Sequence, residues 1–233
     1  MKAVILAGGK GRRLEPYTTI LPKPLMPVGN VPILEVVMKQ LSKYGFKEIT
    51  LAVGHLAELL MAYFNDGSKY GVKIKYSKEQ NALGTAGPLK KISNLKDTFL
   101  VMNGDILTTL DYSKLIAFHQ EKEAIATIAM HKRSVKVDFG VMKVDEDNTV
   151  IGYDEKPTLG YLVSMGIYVF EPKVLDYIEL GEKLDFPGLV KRLLRGGEKV
   201  QGYPSEDYWL DIGRPDDYEK AVKDFKKMKN IFL

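Results

Sequence analysis

Apolar and polar positions in the first half of the chain follow two alternating periods. Residues 3–6 are a continuous apolar run, and the pattern predicts a short strand over 2–6. Over 31–43, Ile33, Val36, Val37 and Leu41 recur at helical spacing, with Asn30 placed as N-cap and Pro32 in the first turn. A strand is predicted over 48–53, a helix over 56–64, a turn at Asp66-Gly67 and a strand over 72–76. A helical stretch over 86–92 then leads to an apolar strand over 98–102. This strand–helix rhythm predicts a mostly parallel sheet with helices on both faces.

After about residue 110 the rhythm changes. A helix over 112–122 leads into strand-rich sequence at 124–131, 139–144, 150–153 and 161–170. A helix over 185–195 with Asp185 as its cap, strands at 199–203 and 208–210, and a closing helix over 216–227 follow. No Pro-, Gly- or Ser-rich linker interrupts the chain. The expected fold is therefore a Rossmann-like α/β domain over 1–233 with a mixed, mostly parallel sheet. Residues to about 110 are expected to form an N-terminal half of the type that serves nucleotides in other α/β folds, and about 111–233 a smaller lobe carried on the same sheet plus the closing helix.

Composition narrows the chemistry. Of 233 residues, 45% are hydrophobic and 27% charged, the balance of a globular chain. No apolar run is long enough to span a membrane. The opening MKAVILAGG is broken too soon by glycines to read as a signal peptide, so the cytoplasm is the expected location. There are no cysteines, which excludes disulfides, cysteine-held zinc, iron–sulfur clusters and thiol catalysis. The net charge of +4 is concentrated in residues 1–30, where Lys2, Lys10, Arg12, Arg13 and Lys23 face only Glu15. A local basic excess beside glycines points to a small anionic ligand. Nucleic acid would ask for a broader basic stripe, and none is expected as a partner.

Five segments carry candidate chemistry. Gly8, Gly9 and Gly11 follow the first strand within four positions. Such glycines let backbone approach a ligand and wrap N–H groups around a phosphate, and Arg12 and Arg13 add fixed donors. The same residues also suit a tight basic turn. The terminal Gly-Lys-Ser/Thr of a phosphate loop is absent, and a dinucleotide fingerprint fails in spacing and because the second strand closes as Ala52-Val53-Gly54 without an acidic residue. Pro22 and Pro24 stiffen the backbone around Lys23, a phosphate contact or a solvated lysine. Asn103-Gly104-Asp105 ends a central strand, where open α/β sheets bind ligands and where a nucleotide-bound Mg²⁺ finds a carboxylate. A plain turn would use the same residues. Asp211 follows a short strand and suits either a second metal ligand or a helix cap. Glu155-Lys156 offers an acceptor for hydroxyls and a cation for phosphate, on a charged turn of ordinary composition.

Taken together, the motifs resemble the sugar nucleotidyltransferases, the NDP-sugar pyrophosphorylases. The matching segments are LAGGKGRRLEPYT (6–18), PKPLMP (22–27), LGTAGP (83–88), NGD (103–105), FGV (139–141), EKP (155–157) and WLDIGRPDDY (209–218). The resemblance implies conversion of a nucleoside triphosphate and a sugar 1-phosphate to an NDP-sugar and pyrophosphate, with Mg²⁺ as cofactor. It implies that Arg13 and Lys23 are catalytic, Arg13 on the leaving pyrophosphate and Lys23 at the α-phosphate. Leu6, Ala7, Gly8, Gly9, Gly11, Arg12, Glu79, Gly84 and Asn103 would bind nucleotide, with Glu79 and Gly84 at the edge of the base. Asp105 and Asp211 would hold the metal. Gly140, Glu155, Lys156 and Ser164 would bind the sugar phosphate, Ser164 standing near where the family often has a sugar-contacting asparagine.

Glu79 as an acceptor suits guanine, and LGTAGPLK resembles mannose-1-phosphate guanylyltransferases, so GTP with mannose 1-phosphate is the expected pair. Thymidylyl, uridylyl or cytidylyl transfer to glucose, heptose or N-acetylmuramic acid 1-phosphate is the alternative, and a non-catalytic NDP-sugar-binding regulator is another. Only 15 residues follow Tyr218, so the β-helix domain of many relatives is expected to be absent. The basic tail is expected to form a surface helix packed on the body. Family members often self-associate, and a homo-oligomer is in keeping with the resemblance.

Overall fold

The computed structural model describes residues 1–79 and 81–233. The chain runs through β1 (Lys2–Ala7), β2 (Pro27–Val28), β3 (Val31–Pro32), α1 (Ile33–Lys43), β4 (Glu48–Val53), α2 (Ala57–Phe64) and β5 (Lys73–Lys78). Then come β6 (Phe99–Asn103), β7 (Ile106–Thr108), α3 (Tyr112–Lys122), β8 (Ala126–Lys136), β9 (Val141–Val144), β10 (Val150–Asp154) and β11 (Thr158–Phe170). The last elements are α4 (Phe186–Arg195), β12 (Val200–Ser205), β13 (Trp209–Asp211) and α5 (Pro215–Phe232).

A seven-stranded sheet in the order β12-β8-β11-β6-β1-β4-β5 forms the centre. The pairs β1–β4, β1–β6, β4–β5 and β8–β12 are parallel, and β11 runs antiparallel to both β6 and β8. Strands from both halves of the chain therefore share one sheet. β1 reads as continuous apolar sequence because both its faces are covered. Ala3, Ile5 and Ala7 join the core beneath α1, α2 and α3, whereas Val4 joins the opposite core with Leu189 and Leu193 of α4. A third cluster seats α5: Phe225 and Phe232 pack with Leu14, Met26, Val28 and Leu210. Ala221, Phe225 and Phe232 are buried, so the closing helix extends to Phe232 and its apolar face lies on the body. No helix among the described residues is long and apolar enough to cross a membrane.

Three local expectations are corrected. Asn30 is not the cap of α1. Gly29 takes φ +71° in a turn that pairs Val28 with Val31, so the helix starts only at Ile33, after Pro32. The hairpin claims the polar turn residues that the periodicity assigned to a cap. Asp185 does stand at the cap position of α4, but its carboxylate accepts the Thr85 N–H at 2.9 Å. The helix's Phe186 N–H is taken by the Thr85 hydroxyl at 2.9 Å instead, a cap supplied across 101 residues of sequence. The helical stretch expected at 86–92 is a single 3₁₀ turn, Gly87–Lys91.

Candidate active site

The sheet positions the site through strand register. β1 lies between β4 and β6, with Leu6 opposite both Ala52 and Asn103. The loops leaving the C-terminal ends of these strands therefore open side by side, where parallel sheets offer unpaired backbone and room for a ligand. β13 brings a further segment in by antiparallel pairing of Asp211 with Ile106, and the Ile212 N–H donates to the Asp105 carbonyl at 3.2 Å. Asp105 and Asp211, 106 positions apart in sequence, are thus neighbours.

A cleft of about 590 Å³ lies over the strand ends, lined by Leu6, Gly8, Gly9, Glu79, Gly84, Asn103 and Asp105 among others. A smaller cavity of about 270 Å³ continues from it, lined by Ala7, Gly11, Arg12, Arg13, Lys23, Pro24 and Gly213, with Leu6, Gly9 and Asp105 shared. The first has the size of a small-molecule site and the second is walled by cations.

Close backbone approach explains the glycines. A Cβ at Gly8 would sit 3.1 Å from Glu79 Oε1 and 3.3 Å from the Gly54 nitrogen. Gly84 takes φ +77°, and a Cβ there would meet the Leu184 carbonyl oxygen at 2.6 Å. Gly9 is open to the cleft. Gly11 takes φ +64° to start the turn Arg12–Leu14, and its carbonyl accepts the Thr18 hydroxyl at 2.9 Å. The Arg13 guanidinium lies on Gly213, where a Cβ would come within 3.3 Å of Nη1.

Charge is arranged asymmetrically. Lys23, buried in its proline-flanked turn, donates to Asp105 Oδ2. Asp105 Oδ1 is buried and has no hydrogen-bond partner among the described residues. Desolvation pushes the Asp211 carboxyl up from its ordinary value, and Asp105 adds to this, while Lys23 and Arg13 pull it back. Burial also pushes the Glu79 carboxyl up, although its Oε2 accepts the Leu83 N–H at 3.0 Å. Glu79 is therefore a positioned acceptor on the cleft wall. Asn103 is fitted just as tightly, because a Cβ at Gly166 would fall 2.6 Å from its Nδ2.

Not every expected residue joins the cleft. Gly140, Glu155 and Lys156 lie on or beside the separate β9–β10 hairpin and do not line either cavity. There the Tyr153 hydroxyl donates to Glu155, Lys156 pairs with Glu155 at 3.6 Å, and Gly140 packs against the Tyr153 ring. Asp211, although beside Asp105, lines neither cavity, and Ser164 also stays outside the lining. Its hydroxyl donates to the Tyr168 hydroxyl at 3.1 Å and accepts the Gly166 N–H at 3.2 Å, which ties it to the glycine behind Asn103. Conversely, Lys10, Gly54, His55, Asn81 and Thr85 line the cleft without having been singled out in the sequence. For Gly54 and His55 a signal existed: both follow a strand whose C-terminal end faces the same side as that of β1.

The comparisons with known proteins agree with this geometry. The nucleotidyl transferase family model matches residues 2–228. A UTP–glucose-1-phosphate uridylyltransferase of Synechocystis is 38% identical over 99% of this chain and 65% of its own length. A mannose-1-phosphate guanylyltransferase of Mycobacterium tuberculosis is 34% identical over 95% of this chain and 64% of its own. The chain thus spans just under two thirds of the length of these curated relatives. A D-glycero-α-D-manno-heptose 1-phosphate guanylyltransferase of Aneurinibacillus thermoaerophilus matches end to end, at 34% identity over 97% of this chain and 99% of its own. With nearly every residue inside the family model and the glycine loop, Lys23 and Asp105 gathered where the two cavities meet, the chain belongs to the nucleotidyl transferase family.

Proposed function

We propose that this chain transfers a nucleotidyl group from a nucleoside triphosphate to a sugar 1-phosphate, releasing pyrophosphate, and that its favoured pair is GTP with mannose 1-phosphate. The observation that carries the class is the continuity of the two cavities. A base-sized cleft meets a cation-walled one at Asp105, as a nucleoside triphosphate requires.

An oxygen of the sugar phosphate attacks the α-phosphorus, and the bond to the bridging oxygen of pyrophosphate breaks. The attacker is already an anion, so no protein base is needed. The obstacle is the meeting of two phosphate anions, and catalysis reduces to positioning and charge neutralisation. Arg13, steadied on Gly213, neutralises charge building on the leaving pyrophosphate. Lys23 meets the α-phosphate, and the N–H groups around Gly8–Gly11 orient the chain of phosphates. Glu155 and Lys156 receive the sugar phosphate from the hairpin.

Asp105 and Asp211 suit a hard divalent cation. The orphaned Asp105 Oδ1 is an acceptor without a donor. Among the described residues no group of three or more His, Cys, Asp or Glu forms a metal cage. Two carboxylates that leave positions for water and phosphate oxygens are the donor set Mg²⁺ takes beside a nucleotide. When bound, it would supply further neutralisation at the α-phosphate.

Glu79 supports guanine. Guanine offers two adjacent donors on its pairing edge, N1–H and the exocyclic amine, whereas uracil and thymine flank their single N–H with two carbonyl acceptors. A carboxylate favours the first arrangement and repels the second. The guanylyltransferase relatives point the same way. The uridylyltransferase relative, at 38% identity, favours UTP with glucose 1-phosphate as a second reading. The test is pyrophosphate release in Mg²⁺ with GTP, UTP, dTTP and CTP crossed against mannose, glucose, heptose and N-acetylmuramic acid 1-phosphates. Turnover confined to GTP with mannose 1-phosphate is expected, and turnover with GTP and heptose 1-phosphate instead would keep the base and replace the sugar. Turnover with UTP and glucose 1-phosphate would replace the guanine assignment, and silence across the panel with NDP-sugar still bound would replace the enzyme with a binding protein.

A further inference from the structure

The ion pair at the meeting point of the two cavities has a consequence beyond the roles given to its members. Lys23 and Asp105 expose only 10% and 22% of their side chains. Pro22 and Pro24 hold the lysine's backbone, so its ammonium has little freedom to seek another partner. Around it, the smaller cavity presents Arg12 and Arg13, which are cations like itself. The carboxylate is used on one side only, with Oδ1 buried and unpartnered. A buried charge stripped of its partner is strongly disfavoured. A divalent cation on Asp105 would face the ammonium on the same carboxylate and would strand it among arginines. A polyphosphate entering the cavity removes that conflict, because it gives the lysine a new anion.

We propose that Lys23 is an internal cation that occupies the metal-binding carboxylate in the free protein and yields it when a polyphosphate arrives, so that metal and nucleotide bind with a positive coupling set by this lysine. The proposal rests on the reading of the cleft as a nucleotide and metal site. No covalent step is involved: one ammonium–carboxylate contact is exchanged for an ammonium–phosphate and a metal–carboxylate contact. Reciprocity then requires that metal raise nucleotide affinity by the same factor.

Mn²⁺ serves as the probe, its free form counted by electron paramagnetic resonance, with α,β-methylene-GTP as the non-reacting nucleotide. In the wild-type protein Mn²⁺ alone binds weakly. With the analogue saturating, and after allowance for the analogue's own affinity for Mn²⁺, protein-bound Mn²⁺ tightens by about tenfold or more, within the usual range of coupling between sites. In Lys23→Met, Mn²⁺ alone binds about as tightly as it does in the wild-type complex, and the coupling collapses toward about onefold. Lys23→Arg, which keeps the cation, retains weak binding of the metal alone. Unchanged or weaker Mn²⁺ binding in folded Lys23→Met would overturn the exchange.

Asp105→Asn gives the same answer if Lys23→Met does not fold. It should match wild type for Mn²⁺ alone, since Lys23 already occupies that carboxylate, and fall behind only when the analogue is present. A deficit for Mn²⁺ alone would sink the proposal. Calorimetry of the analogue with and without metal separates the two readings. No binding of either this analogue or α,β-methylene-UTP to wild type, with Mn²⁺ present or absent, overturns the nucleotide site and the exchange with it, whereas binding with no Lys23-dependent coupling overturns the exchange alone.

Discussion

The cleft over the strand ends and the β9–β10 hairpin carry the two halves of the proposed chemistry, and they are built in opposite ways. The cleft and the cavity beside it are assembled from segments far apart in sequence: the loop after β1, the proline-flanked Lys23, Glu79 with Asn81, Gly84 and Thr85, Asp105, and Gly213 after β13. Their parts hold one another through close contacts, such as Gly8 against Glu79 and Gly84 against Leu184. The hairpin is local, a two-stranded ribbon apart from the central sheet. Met142, Val144, Val150, Ile151 and Tyr153 on it are all exposed. A charged group set in the cleft is desolvated and pre-positioned, so it acts strongly and its loss disturbs the fold. A charged group on the hairpin is solvated, so it contributes binding and little stability.

The sharpest test of that contrast is Asp105→Ala. Turnover should fall by about a hundredfold or more, as for other preorganised electrostatic groups. Stability should also fall, by about 1–3 kcal/mol, because Lys23 is left buried without its acceptor. Kinetics with urea unfolding checks both, and a loss of turnover with no loss of stability would break the link between the two. Arg13→Ala comes next. A fall of about a hundredfold in kcat with KM for the triphosphate nearly unchanged is expected, since the charge it meets develops in the transition state. An effect confined to KM would move Arg13 to ground-state binding.

Lys156→Ala probes the other side. KM for the sugar 1-phosphate should rise by about tenfold while KM for the triphosphate and the thermal midpoint stay put, as expected for a solvated surface cation. A clear drop in melting temperature would show that the hairpin is more integrated than its exposure indicates.

The smallest effect expected is at Glu79, where function and stability oppose each other. Burial raises its carboxyl above the ordinary 4.5. The folded form then binds more protons than the unfolded just above that value, so stability declines as pH rises through the window and the cost persists at neutral pH. Glu79→Gln should therefore melt slightly higher than wild type at pH 7 and show no gain near pH 4, while discriminating less between GTP and UTP. Equal melting temperatures at pH 7 would remove the burial cost from the account.

The regions also differ in how far they were legible. In the cleft the Gly-rich loop, the Pro-Lys-Pro segment and the strand-end aspartates stood out because a close approach to anions demands particular residue types at strand ends. The EKP turn offered an acceptor and a cation, but its residues are those of any charged turn, and only the resemblance gave them weight. Asn81 carried no local mark, and His55 was marked only by following a strand that ends on the same side as β1.

Local periodicity alone determined the strand–helix alternation, the mostly parallel sheet and the packed closing helix, because burial of one face imposes a period on each element whatever its neighbours are. Composition alone determined where the positive charge is concentrated. Only the tertiary structure decided that Asp105 is held by Lys23 while its Oδ1 has no partner among the described residues, that the Thr85 side chain and not that of Asp185 caps α4, that residues 27–32 close a hairpin before α1, and that Gly140, Glu155, Lys156 and Ser164 stand apart from the cleft. Each of these depends on which strand ends become neighbours, and that follows from long-range packing of the whole sheet, which no window of local sequence contains.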